Sequence, residues 1–353
     1  MSKKTIAVLF GGRSNEHEVS IMSAMNVISA MSPDKYFILP VYITKDGRWF
    51  LYDGAIESIR SALWDKVGIP CCLSPDSSHK GLLRIASGKV KTIGVDAVFP
   101  VLHGKNGEDG TLQGLCELAG IPVVGCGMLS SAIAMDKAFT NIVAKANGIA
   151  HTPYVVGHIY EKRADITKRA RKLGYPVFVK PASGGSSVGV SKASDKDGLL
   201  SAIEAAFAAD SKILIEKAVI GRELECGVLG YADAAASPVG EIIAGAEFYD
   251  YDAKYNNPES KTVVPADIPE ETAKSIQMLA VKMFKAIGAK GMARADFFLE
   301  EGTGSILFNE INTIPGFTAI SLYPTLWAHA GIPASELCDR LIGIALGETS
   351  QNG

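Results

Sequence analysis

Hydrophobic positions along this chain fall into short runs closed by glycines and into stretches of helical period. The first run, Thr5–Phe10, is unbroken and stops at Gly11-Gly12, the pattern of a strand buried on both faces that ends in a turn. A helix is predicted from about Val19 to Met31. Further strands are predicted at Phe37–Ile43, Val98–Leu102 and Ile121–Val124. Strands alternating with helices predict an α/β unit with a parallel sheet, ending near Gly125-Cys126-Gly127. The segment Trp64–Lys91 reads as irregular and supports no assignment. In a second unit, Ser131–Asn147 reads as a helix, and Val177–Val179 and Ile213–Ile215 as strands. A third unit begins at about Val219, with Gly221 marking the seam. It carries a strand-like run, Gly291–Leu299, a turn at Gly304, a strand from Ser305 to Asn309 and a closing helix over Ala334–Leu346. The predicted domains are 1–127, 128–218 and 219–353.

Composition narrows the function classes. The chain has 353 residues and is 47% hydrophobic, enough for two or three cores and too apolar for a disordered protein. A net charge of −3 with no basic block argues against a nucleic-acid partner. None of the six cysteines is in CxxC spacing, and Lys3-Lys4 leads directly into a strand rather than a signal peptide. This is the pattern of reduced thiols in a cytoplasmic protein. The longest apolar runs are of strand length, so no membrane span is expected.

The densest chemistry lies in Asn309-Glu310-Ile311-Asn312-Thr313-Ile314-Pro315-Gly316. Glu310 and Asn312, two residues apart on a strand, share a face, and both offer hard oxygens suited to Mg²⁺. Arg294 and Asp296 are related in the same way on the preceding strand. Two neighbouring strands would gather Asp296, Glu310 and Asn312 beside Arg294, a set suited to metal-assisted phosphoryl transfer. The plain alternative is two strands with one solvated polar face.

Other segments are weaker alone. The loop Pro181–Gly189 follows Lys180, and its small residues would let backbone N–H groups reach a phosphate, with Ser186 and Ser187 adding donors. No Gly-Lys-Ser/Thr ends it, so it is not a Walker A loop; a plain surface loop competes. Lys137 is either a phosphate contact or a solvated helix lysine. Glu216 ends an apolar strand and Glu223 follows. They suit an adenine amino group and ribose hydroxyls, or are merely exposed carboxylates. His103 stands at the carboxyl end of a parallel strand, where open α/β sheets bind ligands, although its turn could simply cap the next helix. The turn Gly11–Glu18 occupies the equivalent edge. It lacks GxGxxG, and its acids suit an ammonium group or a helix dipole better than a pyrophosphate.

In combination these segments carry a resemblance. His103–Gly114 reads HGxxGEDGTLQG and Asn309–Pro324 reads NExNTxPGFTxxSxYP. With Gly11–Ser20, Lys180–Gly189, Glu216–Glu223, Phe248–Tyr255 and Arg294–Asp296, in that order, the chain resembles the D-alanine–D-alanine ligases of the ATP-grasp fold over nearly its whole length. The resemblance implies an α/β fold: an N-terminal parallel α/β domain, then central and C-terminal α+β domains with ATP between them. It implies joining of two D-alanines for peptidoglycan synthesis, ATP activating the first carboxylate as an acyl phosphate.

Site roles follow from the same resemblance. Asp296, Glu310 and Asn312 would hold two Mg²⁺ ions, with Mn²⁺ able to substitute. Lys137 and Lys180 would contact phosphates, Glu216 the adenine and Glu223 the ribose. Ser187 and its loop would cover the phosphates. Glu16 would hold the first D-alanine ammonium with His103 nearby. Arg294 and the Gly316 N–H would form an oxyanion hole. Ser321 and the Leu322 backbone would grip the second carboxylate. Lys254 and Tyr255 would sit on a closing lid, Tyr255 bonding toward Ser186 and Glu16. A Tyr at 255 favours an amine as second substrate. A D-Ala–D-Ser ligase shares most of these motifs, and Ile320 departs from relatives with His there. The implied partners are D-alanine, ATP and a second copy of the chain as a homodimer. A non-catalytic nucleotide-binding protein is the alternative of another class, and Arg294 argues against it.

Overall fold

A computed structural model of the chain describes residues 2–52, 54, 68–185, 188–243 and 261–348. The buried run predicted at the start is the strand β1 (Lys4–Gly11). After it come α1 (His17–Ala30), β2 (Tyr36–Ile43), β3 (Trp49–Leu51), β4 (Ile69–Leu73), β5 (Gly81–Ala86), β6 (Lys89–Gly94) and β7 (Ala97–Val101). They build one sheet in the order β6-β5-β4-β3-β2-β1-β7. Only the pairings of β1 with β2 and β7 are parallel; the rest are antiparallel. The sheet is therefore mixed rather than wholly parallel.

Two local expectations give way. Trp64–Lys91 contributes β4, β5 and the start of β6, and so is not irregular where described. The hairpin β5–β6 turns on Ser87-Gly88, both at positive φ, as tight hairpin turns require. Its outer strand is mostly exposed and polar, so it lacks the hydrophobic signature of a buried strand. Ile121–Val124 is not a strand but a single parallel bridge from Val123 to Val98. Pro122 has no N–H with which to continue a ladder.

The helix α2 (Thr111–Ala119) leads to the second region. The single helix expected over Ser131–Asn147 is two, α3 (Met128–Met135) and α4 (Lys137–Ala146). Asp136 divides them, because its carboxylate caps α4 by accepting from the N–H groups of Ala138 and Phe139. A four-stranded antiparallel sheet follows, ordered β10-β9-β11-β8. Its elements are β8 (Tyr154–His158), α5 (Arg163–Ala170), β9 (Val177–Pro181), β10 (Ser191–Ala193), α6 (Lys196–Phe207) and β11 (Lys212–Lys217). Its core is drawn only from this stretch, with Ile166, Leu199 and Ile203 under the strands.

The third sheet is antiparallel, in the order β14-β13-β12-β15-β16. It comprises β12 (Gly221–Gly230), β13 (Ala235–Ile243), β14 (Lys261–Val263), β15 (Gly291–Glu300) and β16 (Ile306–Asn312). The helix α7 (Glu270–Ala286) covers one face through Ile276, Ala280, Met283 and Phe284. The chain then forms α8 (Leu322–His329) and α9 (Ala334–Leu346). The last helix does not stay with the third sheet alone. Its Leu337, Cys338, Leu341 and Ile342 share a core with Ile6, Val8 and Phe10 of β1 and with Val27 and Ile28 of α1.

Candidate active site

The strand register brings the predicted residues together. Asp296 on β15 lies opposite Glu310 on β16, and Arg294 opposite Asn312. On its other side Asp296 faces Glu225 of β12. Three carboxylates thus stand in one row across three strands, which would be repulsive without cations. The register shifts after Asp296, where Phe297 pairs with Phe308, so Asn309 is an extra residue on β16. This bulge breaks strict alternation: the neighbours Asn309 and Glu310 both line the same cavity, as does Asn312, while Phe308 is buried away from it.

That cavity has a volume of about 860 Å³ and lies where the three sheets meet. Arg294 bridges two members of the row, Asp296 and Glu225. Its Nε and Nη2 donate to both Asp296 oxygens at 2.8 and 2.6 Å, and Nε lies 2.8 Å from Glu225 Oε2. A two-pronged contact of this kind belongs to an ionised carboxylate. Burial pushes the Asp296 carboxyl up to about 7, and Glu225 and Glu310 add to this while Arg294 opposes it. Glu310 shows the reverse balance. Burial would raise it, but Lys137, Lys180 and Arg294 outweigh burial and hold it at about 2.

The lysines come from the central region. Lys137, the first residue of α4, places Nζ 3.2 Å from Glu310 Oε2 and donates to the Gly184 carbonyl at 2.8 Å. Burial would lower its pKa, yet Glu310, Glu216 and Glu108 together raise it. Lys180 on β9 contacts Glu216 Oε2 at 2.5 Å and Asn309 Oδ1 at 3.5 Å. Glu223 lies further along the same wall, its carboxyl pushed up to about 7 by burial and by Asp296 and Glu310.

The opposite end is built from the edge of the first sheet. Glu16 precedes α1 and lines the cavity, as does His103. His103 is buried; its Nδ1 lies 3.1 Å from the Ile314 carbonyl and its Nε2 3.2 Å from Ser23 Oγ. Ser23 also accepts from the Phe317 N–H, and Asn26 donates to the Phe317 carbonyl at 2.8 Å. The helix α1 thereby holds the loop that carries Gly316. A Cβ on Gly316 would fall 2.7 Å from Ser321 Oγ, so the two residues approach as closely as a glycine permits. Ser321 Oγ in turn accepts from the Thr318 N–H at 2.9 Å, and Ser321 and Leu322 open α8.

Among the predicted residues, Glu16, His103, Lys137, Lys180, Glu216, Glu223, Arg294, Asp296, Glu310, Asn312, Gly316, Ser321 and Leu322 line this one cavity. Ser186, Ser187, Lys254 and Tyr255 lie outside the described residues. Three participants were not assigned from sequence. Glu225 was visible as the i+2 partner of Glu223. Asn309 needed knowledge of the bulge. Glu108 accepts from the Gly104 N–H at 2.7 Å, and burial and the nearby charge of Glu16 push its carboxyl up to about 8.

Comparison with known proteins decides the family. The D-ala D-ala ligase N-terminus matches residues 5–126 and the D-ala D-ala ligase C-terminus matches residues 143–343. This chain belongs to the D-alanine–D-alanine ligase family. A family member from Caldicellulosiruptor bescii, a D-alanine–D-alanine ligase, is 49% identical over 99% of this chain and 97% of its own length. The D-alanine–D-alanine ligase of Acetivibrio thermocellus is 47% identical over 99% and 98%. Among solved structures, the VanG D-Ala:D-Ser ligase from Enterococcus faecalis superposes with a TM-score of 0.90 at 43% identity, covering 98% of this chain and all of that one. The D-alanine–D-alanine ligase from Coxiella burnetii gives 0.85 at 35% identity, covering 98% and 96%. The ATP-grasp fold expected for the D-alanine–D-alanine ligase family is thus the fold of this chain.

Proposed function

We propose that this chain joins two D-alanines to D-alanyl-D-alanine at the expense of ATP, supplying peptidoglycan synthesis. The observation that carries the reading is the row Glu225, Asp296 and Glu310, with Arg294 inside it, facing Lys137 and Lys180 across one cavity. In this reading Lys137, Lys180, Glu216 and Glu223 bind ATP, and Ser187 and Lys254 complete its site. Glu16 and His103 receive the first D-alanine. One of its carboxylate oxygens attacks the γ-phosphorus, forming an acyl phosphate and releasing ADP. The second amino group then attacks the acyl carbon. A C–N bond forms, the amine loses a proton, and the C–O bond to phosphate breaks. Arg294 and the Gly316 N–H stabilise the intervening oxyanion, while Ser321 and Leu322 hold the second carboxylate. Ser186 and Tyr255 act in closing the site over the intermediate.

The donor set fits divalent cations. Asp296, Glu310 and Asn312 offer hard oxygens from adjacent strands, and among the described residues Arg294 and Lys137 form the ion pairs with the carboxylate row. Among the described residues no group of three His, Cys, Asp or Glu side chains is arranged to cage a metal unaided. That suits Mg²⁺, which commonly takes one or two carboxylates and completes its shell with water and substrate phosphate. When bound, such ions neutralise charge on the phosphate oxygens.

The 0.90 superposition on a D-Ala:D-Ser ligase supports a second reading, D-serine as the incoming amine. The test is phosphate release with D-alanine, D-serine and D-lactate, each product identified by mass. D-Alanyl-D-alanine from D-alanine alone supports the first reading; mixed dipeptide favoured over it at equal concentrations supports the second. No helix among the described residues is long and apolar enough to cross a membrane. The reading further includes three units, at 1–127, 128–218 and 219–353, and a cytoplasmic homodimer, whose mass light scattering would give.

A further inference from the structure

A second cavity, of about 320 Å³, lies at the carboxyl ends of β1, β2 and β7, on the side of the sheet covered by α2. Its volume is at the lower end of the range for small-molecule sites. Trp49, Leu102, Leu112 and Leu115 give it an apolar lining. Arg13 and Lys105 also line it, and neither side chain makes an ion pair or hydrogen bond among the described residues. The one carboxylate on the wall, Asp46, is already occupied by Thr44 and by Arg48 at 2.8 Å. The cavity therefore combines an apolar body with two solvent-exposed cations at its mouth.

Its position matters as much as its lining. His103 lines both cavities. Arg13 stands three residues before Glu16 in one turn, and Lys105 three residues before Glu108 in the other. The turns are tied together: Ser14 Oγ donates to the His103 carbonyl at 2.6 Å and accepts from the Glu16 N–H at 3.1 Å. A molecule drawing Arg13 and Lys105 inward would act on both turns.

We infer that this cavity binds a small molecule with one anionic group on an apolar body, such as an aryl or alkyl carboxylate, and that its occupancy alters binding at Glu16. The second half rests on the reading of Glu16 as the contact of the first D-alanine. Trp49 gives a direct readout in the full-length protein, using 3-phenylpropionate as probe. The expected result is a saturable change in fluorescence that disappears in Trp49→Phe. Binding weakens about tenfold or more in the Arg13→Ala/Lys105→Ala double variant, and for 3-phenylpropan-1-ol, which keeps the apolar body without the charge. Leu115→Phe, which fills the cavity, blocks binding. The probe also shifts the KM for D-alanine several-fold and leaves that for ATP unchanged. Absence of saturable binding, or binding equally tight in the double variant and in Leu115→Phe, overturns the site. Binding with an unchanged D-alanine KM overturns the coupling. Fluorescence needs no turnover, so failure of the ligase reading would show separately, as phosphate release that ignores D-alanine.

Discussion

Replacing Arg294 by Met should damage folding and chemistry by separable amounts. Arg294, Glu225 and Asp296 are 7%, 5% and 8% exposed, and the guanidinium contacts both carboxylates within 2.8 Å. Methionine keeps the apolar stem but leaves two buried carboxylates without their cation. Breaking a buried ion pair in this way costs about 3–5 kcal/mol, a large part of a typical stability of about 5–15 kcal/mol. Loss of an oxyanion donor separately slows the chemical step by about 10²–10³. Adding Glu225→Gln to Arg294→Met removes one of the stranded charges without changing its shape. The double variant should recover a substantial part of the lost stability and none of the lost rate. Urea unfolding gives the first quantity; phosphate release and dipeptide mass under saturating substrates give the second. If rate and stability return together, Arg294 acts only by holding the fold, and the oxyanion role is wrong. A collapse of ATP affinity in the single variant would make Arg294 a phosphate contact instead.

Asp296→Asn and Glu310→Gln should each nearly abolish turnover while the circular dichroism spectrum is retained; near-normal kcat at ordinary Mg²⁺ would remove both from the metal set. Gly316→Ala puts a methyl 2.7 Å from Ser321 Oγ, which cannot retreat without loosening its bond from Thr318, so the KM for the second D-alanine should rise with that for ATP unchanged. Equal KM values in mutant and parent would show that this loop does not shape the substrate pocket. Glu108 has its carboxyl raised from 4.5 to about 8, so between those pH values the folded protein keeps a proton that the unfolded chain releases, and stability falls as pH rises. Glu108→Gln should therefore gain in melting temperature over the parent across that window, and a difference that does not change with pH would refute it.

The sequence was most readable where one physical rule acted alone. Period-two spacing placed Arg294 with Asp296, and Glu310 with Asn312, and the strands pair as that spacing requires. Capping residues were harder, because Asp136 inside a helical pattern is ambiguous until its carboxylate is seen to accept from α4. The β5–β6 hairpin was missed because an exposed outer strand has no buried face to enforce alternation. Asn309 escaped for a related reason: a bulge adds one residue, and the face assignment beyond it depends on a register that only the paired strand fixes. Glu225 was within reach of the same spacing rule but had no motif to draw attention to it.

The shared core of α1, β1 and α9 bears on how the protein is made. Ribosomes deliver chain at roughly 5–20 residues per second, and upstream segments ordinarily fold as they emerge. Here Ile6, Val8 and Phe10 share a core with Leu337, Leu341 and Ile342, more than three hundred positions later. During synthesis the opening sheet, covered on that side by α1, waits some tens of seconds at those rates before α9 completes the core. The core of the opening unit is thus incomplete until the last helix emerges, and apolar-to-polar substitutions at Leu337, Leu341 or Ile342 should reduce yield in the cell.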